Sequence, residues 1–258
     1  CKAFGFKDRI CVYPHGETLQ IQRTDHGFAT ELNGTDSDEL FDILRMYLLS
    51  SSGELLDLQG IHRLHCLGFQ YNNQNILISA SSGGGKSYLA YQGQLENPPL
   101  KIYSDETCLI DNSGLLYGLA LPIAMKKSIE AKSQQSMRVL RLSGERDLIT
   151  LSPFSPMGPQ RIHKIFVITH WGKQFKVMKA AFLIQLIFAV RVILGLGNMQ
   201  MREFLIREDN MLALGKIAWS RFKRALYLIS HSQIYHVQLQ KNSEKNLDQL
   251  KKYIESQS

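Results

Sequence analysis

The seven residues Ser81-Ser82-Gly83-Gly84-Gly85-Lys86-Ser87 constrain this chain more than any others, because an apolar run, Ile76-Leu77-Ile78-Ser79-Ala80, leads straight into them. That run is short, apolar and preceded by a turn at Asn72-Asn73, the pattern of a buried strand. Beyond the glycines, Lys86 to about Gln94 reads as a short helix, stopped ahead of Pro98-Pro99. A strand that enters a glycine-rich turn and leaves as a helix makes an anion cradle. Glycines let successive backbone N–H groups turn inward, and the helix adds its positive N-terminus. Lys86 then reaches the β- and γ-phosphates of a nucleoside triphosphate, and the Ser87 hydroxyl is placed for Mg2+. Ser82, Gly83, Gly84, Gly85, Lys86, Ser87 and Tyr88 are the expected nucleotide-binding residues. The loop departs from the GxxxxGK[ST] pattern at its first glycine position, which is Ala80.

A third strand, Leu100 to Ser104, ends in Asp105-Glu106. Ligands of α/β folds collect at the carboxyl ends of strands. Phosphoryl transfer needs one carboxylate on the metal and often another at the attacking hydroxyl. Neighbours within a strand point to opposite faces, so both acids serve one site only if the strand stops there. His65 lies in the strand-like stretch before the loop and His62 three residues earlier, but no third residue at metal-ligand spacing completes a metal site.

The rest of the chain alternates strands with helices, which predicts an α/β protein. Short antiparallel strands are expected over residues 10–32, an amphipathic helix over about 38–51, and one strand over Leu64 to Phe69. The second half reads as a strand from Lys164 to Thr169, then helices, a strand from Ile234 to Leu239, and a polar C-terminal helix. The longest apolar run, Ala180 to Leu196, is interrupted by Gln185 and Arg191, so it reads as a buried helix and not a membrane span. No flexible linker divides the chain. Residues 1–60 are expected to form a small β/α lobe, and residues 61–258 one compact nucleotide-binding core.

Charge and cysteines bound the partners. Lys and Arg outnumber Asp and Glu by 16 to 6 over residues 161–258, while residues 1–160 carry 14 against 17. A basic half suits an acidic or phosphate-bearing partner or a solvated face. Nucleic acid is an unlikely partner, because no zinc finger or aromatic-interleaved basic motif is present. Cys1, Cys11, Cys66 and Cys108 are too far apart for a CxxC pair, so reduced thiols in a cytoplasmic protein are expected.

The order of these features resembles the HPr kinase-related serine kinases, a group that includes HPr kinase/phosphorylase and the kinases of lasso-peptide biosynthesis. The resemblance is carried by Tyr47-Leu48-Leu49, Leu55-Leu56-Asp57-Leu58-Gln59-Gly60, Leu64-His65, the glycine loop and Ser104-Asp105-Glu106. It is close over about residues 40–128. It implies a mixed-sheet fold like that of phosphoenolpyruvate carboxykinase, with a P-loop core. It implies ATP and Mg2+ as cofactors and a serine of a peptide or small protein as substrate, with homo-oligomers known in the group. By the same resemblance Lys86, His65 and Asp105 are catalytic, Asp105 accepting the serine proton, and Ser87 and Glu106 hold the metal. Cys66 stands where the group has glycine, and Glu106 where it has a second aspartate. The arginine- and glycine-rich signature of true HPr kinases is absent, which argues against HPr as substrate. These departures motivate an alternative: a degenerate, non-catalytic accessory protein that binds nucleotide or peptide.

Overall fold

The computed structural model of the chain describes residues 9–12, 18–24, 27–37, 40, 43–44, 52–53, 56–81, 83–96, 98, 100–105, 107–119, 123–126, 138–141, 146–150, 159–194, 211–241 and 245–257. The protein is a mixed α/β structure. Strands β1 (Arg9–Val12), β2 (Thr18–Thr24) and β3 (Gly27–Asn33) pair antiparallel with one another, as the alternation near the start predicts. Of the helix expected over 38–51, only residues 40 and 43–44 lie within the described residues, and these are helical.

The stretch expected as one strand from Leu64 to Phe69 is two strands in two sheets: β4 (His62–Leu64) and β5 (Cys66–Tyr71), with His65 at the break. β4 and β5 are both buried and run on almost without interruption, so no turn signal marks the change of partner. β5 and β6 (Gln74–Ala80) form a hairpin whose turn residues, Asn72 and Asn73, take left-handed φ of 49° and 56°. Paired positive φ is what a two-residue hairpin turn requires, and Asn tolerates it. Helix α1 (Lys86–Gln94) follows the glycine loop, with the bounds the sequence predicts.

β7 (Lys101–Ser104) joins the outer edge of β5. β8 (Cys108–Ile110), β9 (Leu115–Gly118) and β13 (Gln160–Arg161) form a smaller antiparallel sheet with β4. Between them in sequence, β10 (Ile123–Lys126), β11 (Arg138–Arg141) and β12 (Arg146–Thr150) make a third sheet.

β14 (Lys164–Gly172), β15 (Lys176–Lys179) and β16 (Gln233–Gln240) complete the main sheet, whose order is β15-β16-β14-β6-β5-β7. β6, β14 and β16 are parallel and the other pairings antiparallel.

The main sheet is covered on both faces. On one side Ile76, Ile78, Phe166, Ile168 and Val237 pack against Leu89 and Ala90 of α1. Leu247, Leu250 and Ile254 of α4 (Asn246–Ser256) complete that layer. On the other side Leu77, Ile165 and Val167 meet Leu64, Cys108, Ile110 and Leu116 of the smaller sheet. Phe188 and Val192 of α2 (Phe182–Leu194) and Ala225 and Leu228 of α3 (Met211–His231) join the same cluster. Each fully buried aliphatic or aromatic side chain of these layers contributes about 1.5–3 kcal/mol of transfer free energy.

α2 corrects one expectation. It is not a buried helix: Phe182 is 79% exposed and Leu183 64%, and only its inward face is covered. Among the described residues no helix is long and apolar enough to cross a membrane.

Candidate functional site

The site is set by the direction of the strands. β6, β14 and β16 are parallel, so their carboxyl ends share one edge of the sheet. β7 is antiparallel to β5, which is antiparallel to β6, so β7 also ends at that edge. Ser104 pairs with Gly68, which pairs with Leu77, so Asp105 emerges beside the amino end of β5, two strands from β6 and short of the level of Ala80. β7 stops at Ser104, and a bend begins at Asp105, where the Thr107 N–H donates to the Asp105 carbonyl at 3.0 Å.

Between Ala80 and α1 the chain turns on left-handed glycines, Gly83 with φ 75° and Gly85 with φ 92°. The Gly84 N–H donates to Ser81 O at 3.0 Å and tightens the turn. A Cβ on Gly84 would stand 2.6 Å from the Ala80 Cβ, and one on Gly85 2.8 Å from the Trp171 ring, while one on Gly83 would meet nothing within 4 Å. The departure at Ala80 is thus accommodated locally: its methyl fills the space that the missing side chain of Gly84 leaves. The loop is packed at Gly84 and Gly85 and open at Gly83.

Lys86 is the first residue of α1 and is only 6% exposed. Its Nζ donates to Ala80 O and to His65 Nε2, each at 3.0 Å. An ammonium has donors only, so His65 accepts through Nε2 and carries its proton on Nδ1. Ser87 and Tyr88 follow on the first turn, both half-buried, with Tyr88 against the core beneath α1. The structure thus brings together His65, Lys86 and Gly83–Gly85, with the buried Asp105 at the same sheet edge. Ser82 and Glu106 lie outside the described residues. Among the described residues no group of three His, Cys, Asp or Glu side chains is placed to hold a metal. A Mg2+ ion here would draw mainly on phosphate and water oxygens, with Ser87 as a described protein donor, in keeping with how sparsely proteins ligate Mg2+.

Two further residues reach this edge. Trp171 of β14 lies over Gly85. Arg191 of α2 places NH1 3.5 Å from the Ser79 hydroxyl, and burial lowers its pKa from the ordinary guanidinium value. Burial likewise pushes the Cys66 thiol up to about 11, although Lys86, Ser79 and Arg191 oppose the rise. Cys66 is a neutral thiol at physiological pH. It and Cys108 are free and buried, the Cys108 thiol donating to the Cys66 carbonyl at 3.5 Å. The signal for Arg191 was present in the sequence, as a lone cation in an apolar run, but there it bears only on membrane insertion.

His62 takes no part in the site. His62 Nδ1 donates to Asp57 Oδ1 at 2.8 Å, and its Nε2 lies 2.8 Å from the Ser220 hydroxyl. Arg221 donates to both Asp57 oxygens at 2.8 Å, and Arg63 stands 3.6 Å away. Burial alone raises the Asp57 carboxyl, but His62 and Arg221, with Arg63, outweigh it and hold its pKa below the usual carboxylate value. The order Ser220-His62-Asp57 imitates a hydrolytic triad. Its surroundings do not: Arg221 already neutralises the aspartate, and Ser220 sits inside α3, where the helix consumes the backbone N–H groups an oxyanion would need. The network is a buried clamp between the Asp57 segment, β4 and α3.

No family model matches the chain, and no curated protein is significantly similar to it.

Proposed function

We propose that this protein is an ATP- and Mg2+-dependent serine kinase acting on a peptide or small protein. The observation that carries the reading is the place of Lys86. Its buried ammonium closes a glycine loop at the carboxyl end of β6, held by Ala80 O and His65, at the edge where Asp105 also emerges.

Bound ATP supplies the phosphoryl group, and Mg2+ neutralises charge on its oxygens. Lys86 exchanges the neutral Ala80 and His65 acceptors for phosphate oxygens, and such charge-assisted bonds are roughly twice as strong. The backbone of Gly83 to Ser87 lines the anion and the N-terminus of α1 points at it. Ser87 and Glu106 would hold the metal when it is bound. His65, once Lys86 turns to phosphate, faces the same oxygens. Asp105 orients the substrate serine and accepts its proton. Arg191 adds positive charge beneath the end of β6. Positioning and electrostatics supply most of the rate in such chemistry, so each residue is needed in place.

The test is transfer of labelled phosphate from ATP to serine-bearing peptides. Asp105→Asn keeps ATP binding and lowers transfer about 10²- to 10⁴-fold, the usual worth of a general base. Undiminished transfer in that variant removes Asp105 as the base. Nucleotide binding with no transfer to any serine peptide reduces the protein to a nucleotide-binding accessory.

A further inference from the structure

Among the described residues, the outward faces of α2 and α3 are apolar and exposed. On α2, Phe188, Ala189 and Val192 are buried, while Phe182 (79% exposed), Leu183 (64%), Leu186 (47%) and Val190 (37%) form a stripe at helical spacing. On α3, Ile217, Ala225 and Leu228 turn inward, and Trp219 (60%), Phe222 (38%) and Leu226 (50%) form a second stripe. The rings of Trp219 and Phe222 stack at 5.5 Å. The two helices pack against each other and bury their other sides in one cluster, so the two stripes lie on neighbouring helices and face away from that cluster. Seven large apolar side chains in stripes on neighbouring helices are a patch, unlike the scattered exposed hydrophobics of ordinary surfaces.

Charge identifies the partner. The described stretches 159–194 and 211–241 contain eleven Lys and Arg and no Asp or Glu. Exposed Lys179 stands just before α2, and exposed Lys216 and Lys223 lie on α3 beside Trp219 and Phe222. A second copy docked on this face would set like cations against one another. Apolar and aromatic side chains bordered by lysines, with no acid among the described residues of these two helices, match an anionic lipid surface. The hydrocarbon enters the headgroup–acyl boundary while the ammonium groups stay at the phosphates. We propose that the α2–α3 face binds the surface of an anionic membrane peripherally, independently of the kinase reading.

Flotation of the full chain with phosphatidylcholine vesicles, with and without phosphatidylglycerol, tests this. The native chain floats with the anionic vesicles, and its tryptophan emission shifts to the blue. Trp219→Phe abolishes the shift while leaving Trp171 in place. Adding salt weakens binding. Lys216→Gln with Lys223→Gln weakens it about 30-fold, roughly fivefold per lysine. Phe182→Ser with Leu186→Ser abolishes it with thermal unfolding unchanged, since both side chains are exposed in the free protein. Three results would overturn the proposal: no flotation at low ionic strength, undiminished flotation of the serine variant, or a stable dimer or acidic polypeptide complex that buries Trp219 while vesicles are ignored.

Discussion

At the scale of single residues, a costly group to bury is the Asp57 carboxylate, 4% exposed and balanced by His62, Arg221 and Arg63. Arg221→Met leaves that charge underpaired. Breaking a buried pair costs about 3–5 kcal/mol, and the lower end applies because His62 and Arg63 remain. Urea unfolding measures the loss, and Asp57→Leu with Arg221→Met recovers part of it. The same carboxylate sets an acid limit. Its pKa is lower folded than unfolded, so it contributes stability above the unfolded carboxylate value of about 4. That contribution falls away as pH drops through the folded value. Urea midpoints followed downward from pH 6 should show a decline below about pH 4, and the double variant should show a smaller one.

At the scale of the element, the glycine loop separates conformational strain from collision. Gly83→Ala meets open space but carries φ 75°, so it costs about 1–2 kcal/mol of left-handed strain. Gly85→Ala adds to a φ of 92° a Cβ 2.8 Å from the Trp171 ring, and it must move the ring or the loop. Thermal melts should rank Gly85→Ala clearly below Gly83→Ala, each kcal/mol being worth about 2–4 °C. The loop was legible in the sequence because strand, glycines and helix are contiguous and each obeys a local rule. The same locality explains the correct Asn72-Asn73 turn and the bounds of α1. What was not legible is long-range. No local pattern splits Leu64 to Phe69 at His65, since the break is a change of partner strand. Nor does local pattern place Arg191 beside Ser79, 112 residues away, or Asp57 against Arg221, 164 residues away. α2 was misread as buried because its apolar residues go all the way round, a pattern that normally means burial.

At the scale of the whole molecule, one sheet carries both proposed sites, one at an edge and one on the helical layer that covers a face. The carboxyl ends of β6, β7, β14 and β16 gather the glycine loop, Lys86, His65 and Asp105, and the layer of α2 and α3 presents the basic apolar face. The mixed sheet agrees with the coarse mixed α/β class, but strands and helices do not alternate as expected: among the described residues β7 to β15 follow one another with no helix between them.

The central claim is that the backbone from Ala80 to Ser87, with Lys86, is an anion cradle, and calorimetric titration of the native chain and of Lys86→Ala with Mg·ATP tests it most directly. The account predicts saturable binding in the micromolar-to-millimolar range usual for enzyme substrates. It also predicts binding weakened at least about 100-fold in the variant, the scale of two lost charge-assisted hydrogen bonds. No binding by the folded native chain, or equal affinity in the two proteins, would contradict it.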